Sequence, residues 1–319
     1  MKLIIQIPCF NEAPTLGIAI RALPRQVPGF DRVEWLVIDD GSSDDTAAIA
    51  TALGVDHVVR HQANRGLATA FMTGLDACLG LGADVIVNTD ADNQYEAADI
   101  PKLTAPIVDG QADRVVGARP IDETAHFSFV KKKLQRLGSW AVRMASKTEV
   151  ADAPSGFRAI SRQTAMRLNV FNAYTYTLET IIQTGLSNLR VVSVPIRTNE
   201  DLRPSRLVKS ISSYVRRSLV TILRVFLIYR PHVVFLWPAI GFLAIGLVLG
   251  LRFIAYYVAG NGDGHVQSVV LAALCVILGA LLLAVGVLAD LISTNRKLLE
   301  RISVRLHEVD MRVRKIDSP

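Results

Sequence analysis

Short apolar runs alternate with segments of helical spacing along the first 120 residues. Leu3–Ile7, Glu34–Ile38, Val55–Arg60, Asp84–Thr89 and Arg114–Gly117 are rich in Val or Ile and bounded by polar or turn residues, which predicts strands. Between them, Thr15–Leu23, Asp44–Leu53 and Leu67–Leu79 place apolar residues at helical spacing, with Ser43 or Asp44 positioned to cap the second. Strand–helix alternation with nearly all-apolar strands predicts an α/β fold, its mostly parallel sheet covered on both faces. Ligands on such sheets bind at the carboxyl ends of the strands.

The pattern changes in the last third. Val233–Leu251 is 19 residues without a charge and Val266–Ala289 is 24. Both reach the roughly 20 residues that span a bilayer; the competing reading is a pair of buried core helices. Gly260 to His265 is a polar turn between them, and Arg252, beside Tyr256 and Tyr257, is placed to snorkel to the outer interface. Seven basic residues from Arg203 to Arg230 precede the first span with no acid among them, and Arg296, Lys297, Arg301 and Arg305 follow the second. The connecting turn has no Lys or Arg, so a hairpin with both ends in the cytoplasm is expected. Ser205–Tyr229 mixes apolar and basic residues at helical spacing, which fits interfacial amphipathic helices or, alternatively, a solvated face packed on the domain. In the tail, Leu299, Ile302, Leu306, Val309, Val313 and Ile316 form a heptad seam with Asn295 one step upstream. That seam fits a homo-oligomer, with a tetramer as the candidate size, or a single amphipathic helix lying on the domain or membrane.

Composition sharpens this division. The chain is 50% hydrophobic, 20% charged and has a mean hydropathy of +0.33, which excludes a disordered protein. Residues 1–202 hold 20 basic and 23 acidic residues, whereas residues 203–319 hold 15 and 6. Positive charge gathered beside long apolar runs reads as a membrane-surface footprint and argues against nucleic acid as a partner. Cys9, Cys78 and Cys275 are far apart with no CxxC, so a disulfide framework or zinc site is not expected. The apolar start, Leu3 to Ile7, is broken by Gln6 and followed at once by Pro8, Asn11 and Glu12. It is not an export signal, and the N-terminal part is expected in the cytoplasm.

Neither Gly-x-Gly-x-x-Gly nor a P-loop occurs. Acids instead stand at strand ends: Asp39-Asp40 after Trp35–Ile38, and Asp90-Ala91-Asp92 after Val85–Thr89. Two acids two residues apart point to the same side when extended, so at a strand's carboxyl end they would hold one hard cation, Mg²⁺ or Mn²⁺, together with a ligand's diphosphate oxygens.

Taken in order, Pro8-Cys9-Phe10-Asn11-Glu12, Asp39-Asp40-Gly41-Ser42-Ser43-Asp44-Asp45-Thr46, Asn64-Arg65-Gly66, Asp90-Ala91-Asp92-Asn93-Gln94 and Ser155-Gly156-Phe157-Arg158 resemble the family 2 glycosyltransferases with the GT-A fold. Val116-Gly117-Ala118-Arg119, Lys131-Lys132-Lys133 and Arg203-Pro204-Ser205-Arg206 are most similar to membrane-bound polyprenyl-phosphate glycosyltransferases of the dolichol-phosphate mannose synthase and bactoprenol glucosyltransferase type. The resemblance implies that Pro8, Phe10, Asn11 and Glu12 form a nucleotide-binding first loop. It further implies that Asp39 and Asp40 hold the base and ribose, and that Arg65 lies near the donor phosphates. Asp90, Ala91, Asp92 and Gln94 would be the donor and metal motif. Arg119, Lys132 or Lys133, Ser155, Arg158, Arg203 and Arg206 would hold the acceptor phosphate. Two positions depart from the family pattern: Pro204-Ser205-Arg206 stands where Gly-x-Ser-Lys is common, and Leu67 where Lys is common.

The layout expected is a catalytic domain over 1–202, interfacial helices over 203–231, a hairpin over 232–290 and a cytoplasmic tail over 291–319. The implied activity is metal-dependent, inverting transfer of one hexose from a nucleotide diphosphate sugar to polyprenyl phosphate, UDP-glucose first and GDP-mannose second. The rivals are a processive polysaccharide synthase, whose Gln-x-x-Arg-Trp motif is absent, and an inactive sugar-nucleotide-binding scaffold.

Overall fold

The structure is a computed structural model that describes residues 1–120, 139–170 apart from 141, 145 and 147, then 176–200, 220, 223, 224, 227, 231–260 and 266–316. The chain forms two compact units, one of residues 1–218 and 302–319, the other of residues 219–301.

A seven-stranded sheet organises the first unit. Its strands are β1 (Lys2–Cys9), β2 (Arg32–Asp39), β3 (His57–Arg60), β4 (Val85–Asn88), β5 (Arg114–Ala118), β6 (Arg158–Ser161) and β7 (Val191–Pro195). The order across the sheet is β3-β2-β1-β4-β6-β5-β7. Every pairing is parallel except those of β6, which runs antiparallel to both β4 and β5. This is the mostly parallel α/β arrangement that the apolar runs predicted, and it agrees with the GT-A fold that the family resemblance implied. Helices α1 (Ala13–Ala22), α2 (Thr46–Ala52), α3 (Leu67–Gly80), α4 (Ile100–Val108), α5 (Arg162–Ala165) and α6 (Thr177–Leu186) accompany it. Alternate side chains of β1 enter different cores: Leu3, Ile5 and Ile7 join one apolar cluster, and Ile4 joins the other with Phe71 and Leu75 of α3. Burial on both faces is what makes the strand runs continuous in sequence.

Several elements differ from the pattern-based expectation. β6, β7, α4, α5 and α6 are additional, and α2 begins at Thr46 with Asp45 as its N-cap residue. Asp45 makes no side-chain cap bond; Asp44 Oδ1 instead accepts from Thr46 N–H at 3.1 Å, while its Oδ2 accepts from Ala13 N–H of α1 at 3.1 Å. One carboxylate thus serves the first turns of two helices. All three cysteines are buried and unpaired.

The second unit contains α7 (Pro231–Val258) and the first part of α8 (Val266–Ile316). Val234–Val258 and Val266–Asn295 have mean hydropathies of 2.3 and 2.9, long and apolar enough to cross a membrane. Only 11% and 17% of their apolar windows are buried, which disfavours soluble core helices. The stretch 203–219 of the expected interfacial helices lies outside the described residues.

Candidate functional site

The first three β-strand ends and the loops after them are locked to one another. Asn11 adopts a left-handed backbone, φ 54°, and its N–H donates to Ser42 Oγ at 2.9 Å while Ser43 N–H donates to Asn11 Oδ1 at 2.9 Å. Glu12 N–H donates to Thr46 Oγ1 at 2.9 Å. Phe10, just before them, is 40% exposed, and Pro8 is buried in β1, whose buried run ends at Cys9. Asp39 is buried; its Oδ1 accepts from Ser42 N–H at 2.9 Å and Arg60 Nε stands 3.1 Å from its Oδ2.

Asp40 is the centre of this latch. Its Oδ1 accepts from Arg65 N–H at 2.9 Å, its Oδ2 from Gly66 N–H at 2.8 Å, and His61 Nδ1 lies 2.7 Å from Oδ1. Gly41 permits the approach: φ is +73° and a Cβ there would stand 2.5 Å from the Ala63 carbonyl carbon. With its oxygens engaged and the residue 2% exposed, Asp40 anchors the 61–66 loop and does not offer itself to a base or ribose. The loop delivers Arg65, exposed, immediately before the first turn of α3.

The second group gathers where β4 ends. Asp90, buried Ala91, Asp92 and Gln94 follow Asn88, and Asp92 Oδ1 accepts from Gln94 N–H at 3.2 Å. Gly156 backs onto Asp90: a Cβ there would lie 2.8 Å from Asp90 Oδ2 and 2.9 Å from Oδ1. The antiparallel β6 makes this possible, because its N-terminal end lies at the carboxyl end of β4. Tyr95 braces the contact. Its hydroxyl accepts from Gly156 N–H at 2.9 Å, and its ring stacks on Phe157 at 5.1 Å. Asn88 Nδ2 donates to the Gly156 carbonyl at 2.9 Å, and Asn88 Oδ1 accepts from Gln6 Nε2 at 2.9 Å.

Burial, and then the negative charge of Asp92, push the Asp90 carboxyl up to about 7, against the pull of Arg119. Two carboxylates short of positive charge, held in place by Tyr95 and Gly156, are a donor set that fits a hard divalent cation. Among the described residues no third His, Cys, Asp or Glu side chain converges on them. Remaining coordination positions therefore fall to a ligand's oxygens or water.

One expected acceptor residue, Arg158, has other employment. Arg158 is fully buried, its Nε donating to the Ser155 carbonyl at 2.6 Å, Nη2 to Ala153 at 2.6 Å and Nη1 to Thr177 at 2.8 Å. Its guanidinium holds the 153–156 loop from behind and presents no donor to solvent, so direct phosphate contact by Arg158 is corrected to loop support. Ser155 is equally buried, and its Oγ has no hydrogen-bond partner. Arg119, at the end of β5, is partly exposed and donates to Asp152 through Nε at 2.7 Å and Nη2 at 3.1 Å. Lys132, Lys133, Arg203 and Arg206 lie outside the described residues. Tyr95, Asn88, His61 and Asp152 escaped the sequence reading. Tyr95, directly after Gln94, was the one within reach of a motif argument.

Residues 4–174, more than half of the chain, match Glycosyl transferase family 2, and the chain belongs to that family. It is 29% identical over 214 residues to UDP-N-acetylglucosamine–dolichyl-phosphate N-acetylglucosaminyltransferase of Methanococcus voltae, covering 60% of this chain and 83% of that one. It is 27% identical over 206 residues to undecaprenyl-phosphate mannosyltransferase of Micrococcus luteus, covering 61% and 83%. The Mycobacterium tuberculosis glucosyl-3-phosphoglycerate synthase, solved with Mn²⁺, UDP and glucosyl-3-phosphoglycerate, superposes with a TM-score of 0.54 at 24% identity over 69% of this chain and 79% of that one. That likeness is one of fold.

Proposed function

We propose that this glycosyltransferase moves a single hexose from a nucleotide diphosphate sugar to polyprenyl phosphate at the cytoplasmic face of a membrane. UDP-glucose is the first donor to test and GDP-mannose the second. The observation that carries the reading is the Asp90–Asp92 pair, braced by Gly156 and Tyr95 at the strand ends, in a chain that also holds two largely unburied apolar helices. The polyprenyl- and dolichyl-phosphate relatives support the acceptor.

In this reading Asp92 and Asp90 would hold Mg²⁺ or Mn²⁺, which supplies charge neutralisation to the leaving diphosphate. Arg65, delivered by the Asp40 latch, adds a fixed positive charge on the donor side. The acceptor phosphate is mostly ionised at pH 7, its second pKa being near 6, so it needs no strong general base. Its oxygen attacks the anomeric carbon in line as the bond to the diphosphate breaks, and the configuration inverts. Arg119 and the basic residues Lys132, Lys133, Arg203 and Arg206 would grip that phosphate by charge-assisted hydrogen bonds. Interfacial helices over 203–231 would keep the site at headgroup level.

The experiment is transfer of radiolabelled sugar into an organic-extractable lipid by purified protein given a short polyprenyl phosphate and a panel of donors. One labelled sugar per lipid, with an inverted anomer, is the expected outcome. A water-insoluble polymer would favour a processive synthase, and no transfer with any donor would favour an inactive scaffold.

A further inference from the structure

The loop that carries Asp92 and Gln94 is held from outside by a single side chain. Past β7 the chain continues as a short strap, residues 196 to 199, antiparallel to residues 94 to 96. The strap starts from a fixed point: Ile196 is buried and its N–H donates to the Ala118 carbonyl at 3.0 Å. Two backbone bonds flank the Tyr95–Thr198 bridge. Glu96 N–H donates to the Arg197 carbonyl at 3.2 Å, and Asn199 N–H donates to the Gln94 carbonyl at 2.9 Å. The Asn199 side chain then adds two more. Its Nδ2 donates to the Asn93 carbonyl at 3.0 Å and to the Tyr95 carbonyl at 3.2 Å. Every N–H of Asn199 is therefore spent on one of three consecutive carbonyls.

Successive carbonyls of an extended chain point to opposite sides, so three that meet one residue require a turn. The turn is at Asn93, whose φ of 57° lies in the left-handed region, which a non-glycine residue keeps where its surroundings hold it. With the carbonyls of 93 to 95 drawn to Asn199, Gln94 N–H is left to serve Asp92, whose Oδ1 accepts from it at 3.2 Å. Tyr95, on the same stretch, accepts from Gly156 N–H, and Gly156 backs onto Asp90. We propose that Asn199 is a positioning residue of the metal site: it fixes the backbone of residues 93 to 95 and, through Gln94 N–H, the direction in which Asp92 presents its carboxylate. This rests on the reading that Asp92 and Asp90 hold the divalent cation. The geometry also selects the residue type. Serine offers one side-chain donor, ionised aspartate none, and glutamine carries its amide one carbon farther out. Groups that hydrogen-bond a ligating carboxylate are worth about 10- to 100-fold in metal affinity, and Asn199, one bond further removed, belongs at the lower end.

The test is Mn²⁺ binding to the full-length protein in mild detergent without substrate, read from the electron paramagnetic resonance of the free ion. Asn199→Asp sets a carboxylate oxygen against two carbonyls, and its Mn²⁺ Kd should rise about tenfold. Asn199→Ser keeps one donor and should fall between that variant and the wild type. Asp40→Asn, which loosens the other loop, is the control for general destabilisation: its Mn²⁺ Kd should match the wild type although its stability falls. Wild-type Mn²⁺ affinity in Asn199→Asp, while Asp92→Asn loses it, overturns the positioning role alone. So does an equal loss in Asp40→Asn, or an unfolded Asn199→Asp beside an Asn199→Ser of wild-type affinity, because either assigns Asn199 to general support of the fold. A wild-type protein that leaves all Mn²⁺ free, or an Asp92→Asn that binds it as tightly as the wild type, refutes the metal reading and with it this role.

Discussion

Asp39-Asp40 and Asp90-Ala91-Asp92 are nearly the same signal in sequence, acids just past a buried strand, and the structure gives them opposite fates. After β2, Asp40 accepts two backbone N–H bonds and a histidine contact, and Asp39 accepts from Ser42 beside Arg60. After β4, Asp90 meets the negative Asp92, and its carboxyl is pushed up to about 7 by burial and that charge. Asp40, with both oxygens engaged, stabilises a loop, whereas Asp39 keeps a buried Oδ2 without a hydrogen-bond partner. Carboxylates held together against their mutual repulsion retain binding capacity that the protein itself does not use. What separates the two is hydrogen-bond supply, not residue type.

The largest expected effect breaks the second member alone. Asp92→Asn should lower sugar transfer by about three orders of magnitude while leaving the thermal midpoint within a few degrees, because it removes metal affinity but relieves repulsion with Asp90. Transfer rates over a metal titration, with circular dichroism as the folding control, check it; a variant with wild-type activity sinks the metal role. Asp40→Asn should behave in the reverse sense. An amide nitrogen replaces one acceptor oxygen and faces Arg65 N–H or Gly66 N–H, at a cost of about 2 kcal/mol in denaturant unfolding. The Arg65 loop then loosens, so the donor KM should rise more than kcat falls. A stable variant with normal donor KM would show that the latch is not what positions Arg65.

This contrast also marks where the sequence stops being legible. β1 to β5 and α1 to α3 announce themselves because each buries a local apolar pattern. β6 does not: it starts with Arg158, and a buried arginine reads as a surface residue until its carbonyl partners are known. α4 has prolines at 101 and 106, which read as breakers, although Pro101 sits in the first turn where a missing N–H costs nothing. β7 is a half-exposed edge strand ending in Pro195. The motif residues of the site were readable as a set. Their division of labour was not, because Asp40 and Arg158 owe their roles to N–H groups and carbonyls that the fold brings from 19 to 26 residues away and, for Ser155 and Ala153, from the loop just before β6.

A smaller effect tests whether the loop carrying Asp92 and Gln94 is held independently of the Asp40 latch. The strap after β7 clasps it: Asn199 N–H donates to the Gln94 carbonyl at 2.9 Å, and Asn199 Nδ2 donates to the Asn93 carbonyl at 3.0 Å. The strap is itself pinned by Asp99, which accepts from Arg197 N–H at 2.8 Å and Arg197 Nη2 at 2.8 Å, with Lys102 Nζ also at 2.8 Å. Burial opposes the charge on Asp99, yet Arg197 and Lys102 bring its carboxyl down to about 2 from 3.8. A depressed carboxyl stabilises the fold above its unfolded pKa and loses that contribution as pH falls through the folded one, here between about pH 4 and pH 2. The Arg197 and Lys102 side chains are 62% and 52% exposed, so screening reduces the contribution to about 1 kcal/mol. Arg197→Met should therefore lower stability at pH 6 by about that amount and flatten the acid limb of the stability curve between pH 4 and pH 2. Asp40→Asn should leave that limb unchanged. If Arg197→Met leaves the limb as steep as in the wild type, the clasp is not what holds the strap, and the two loops are not supported separately.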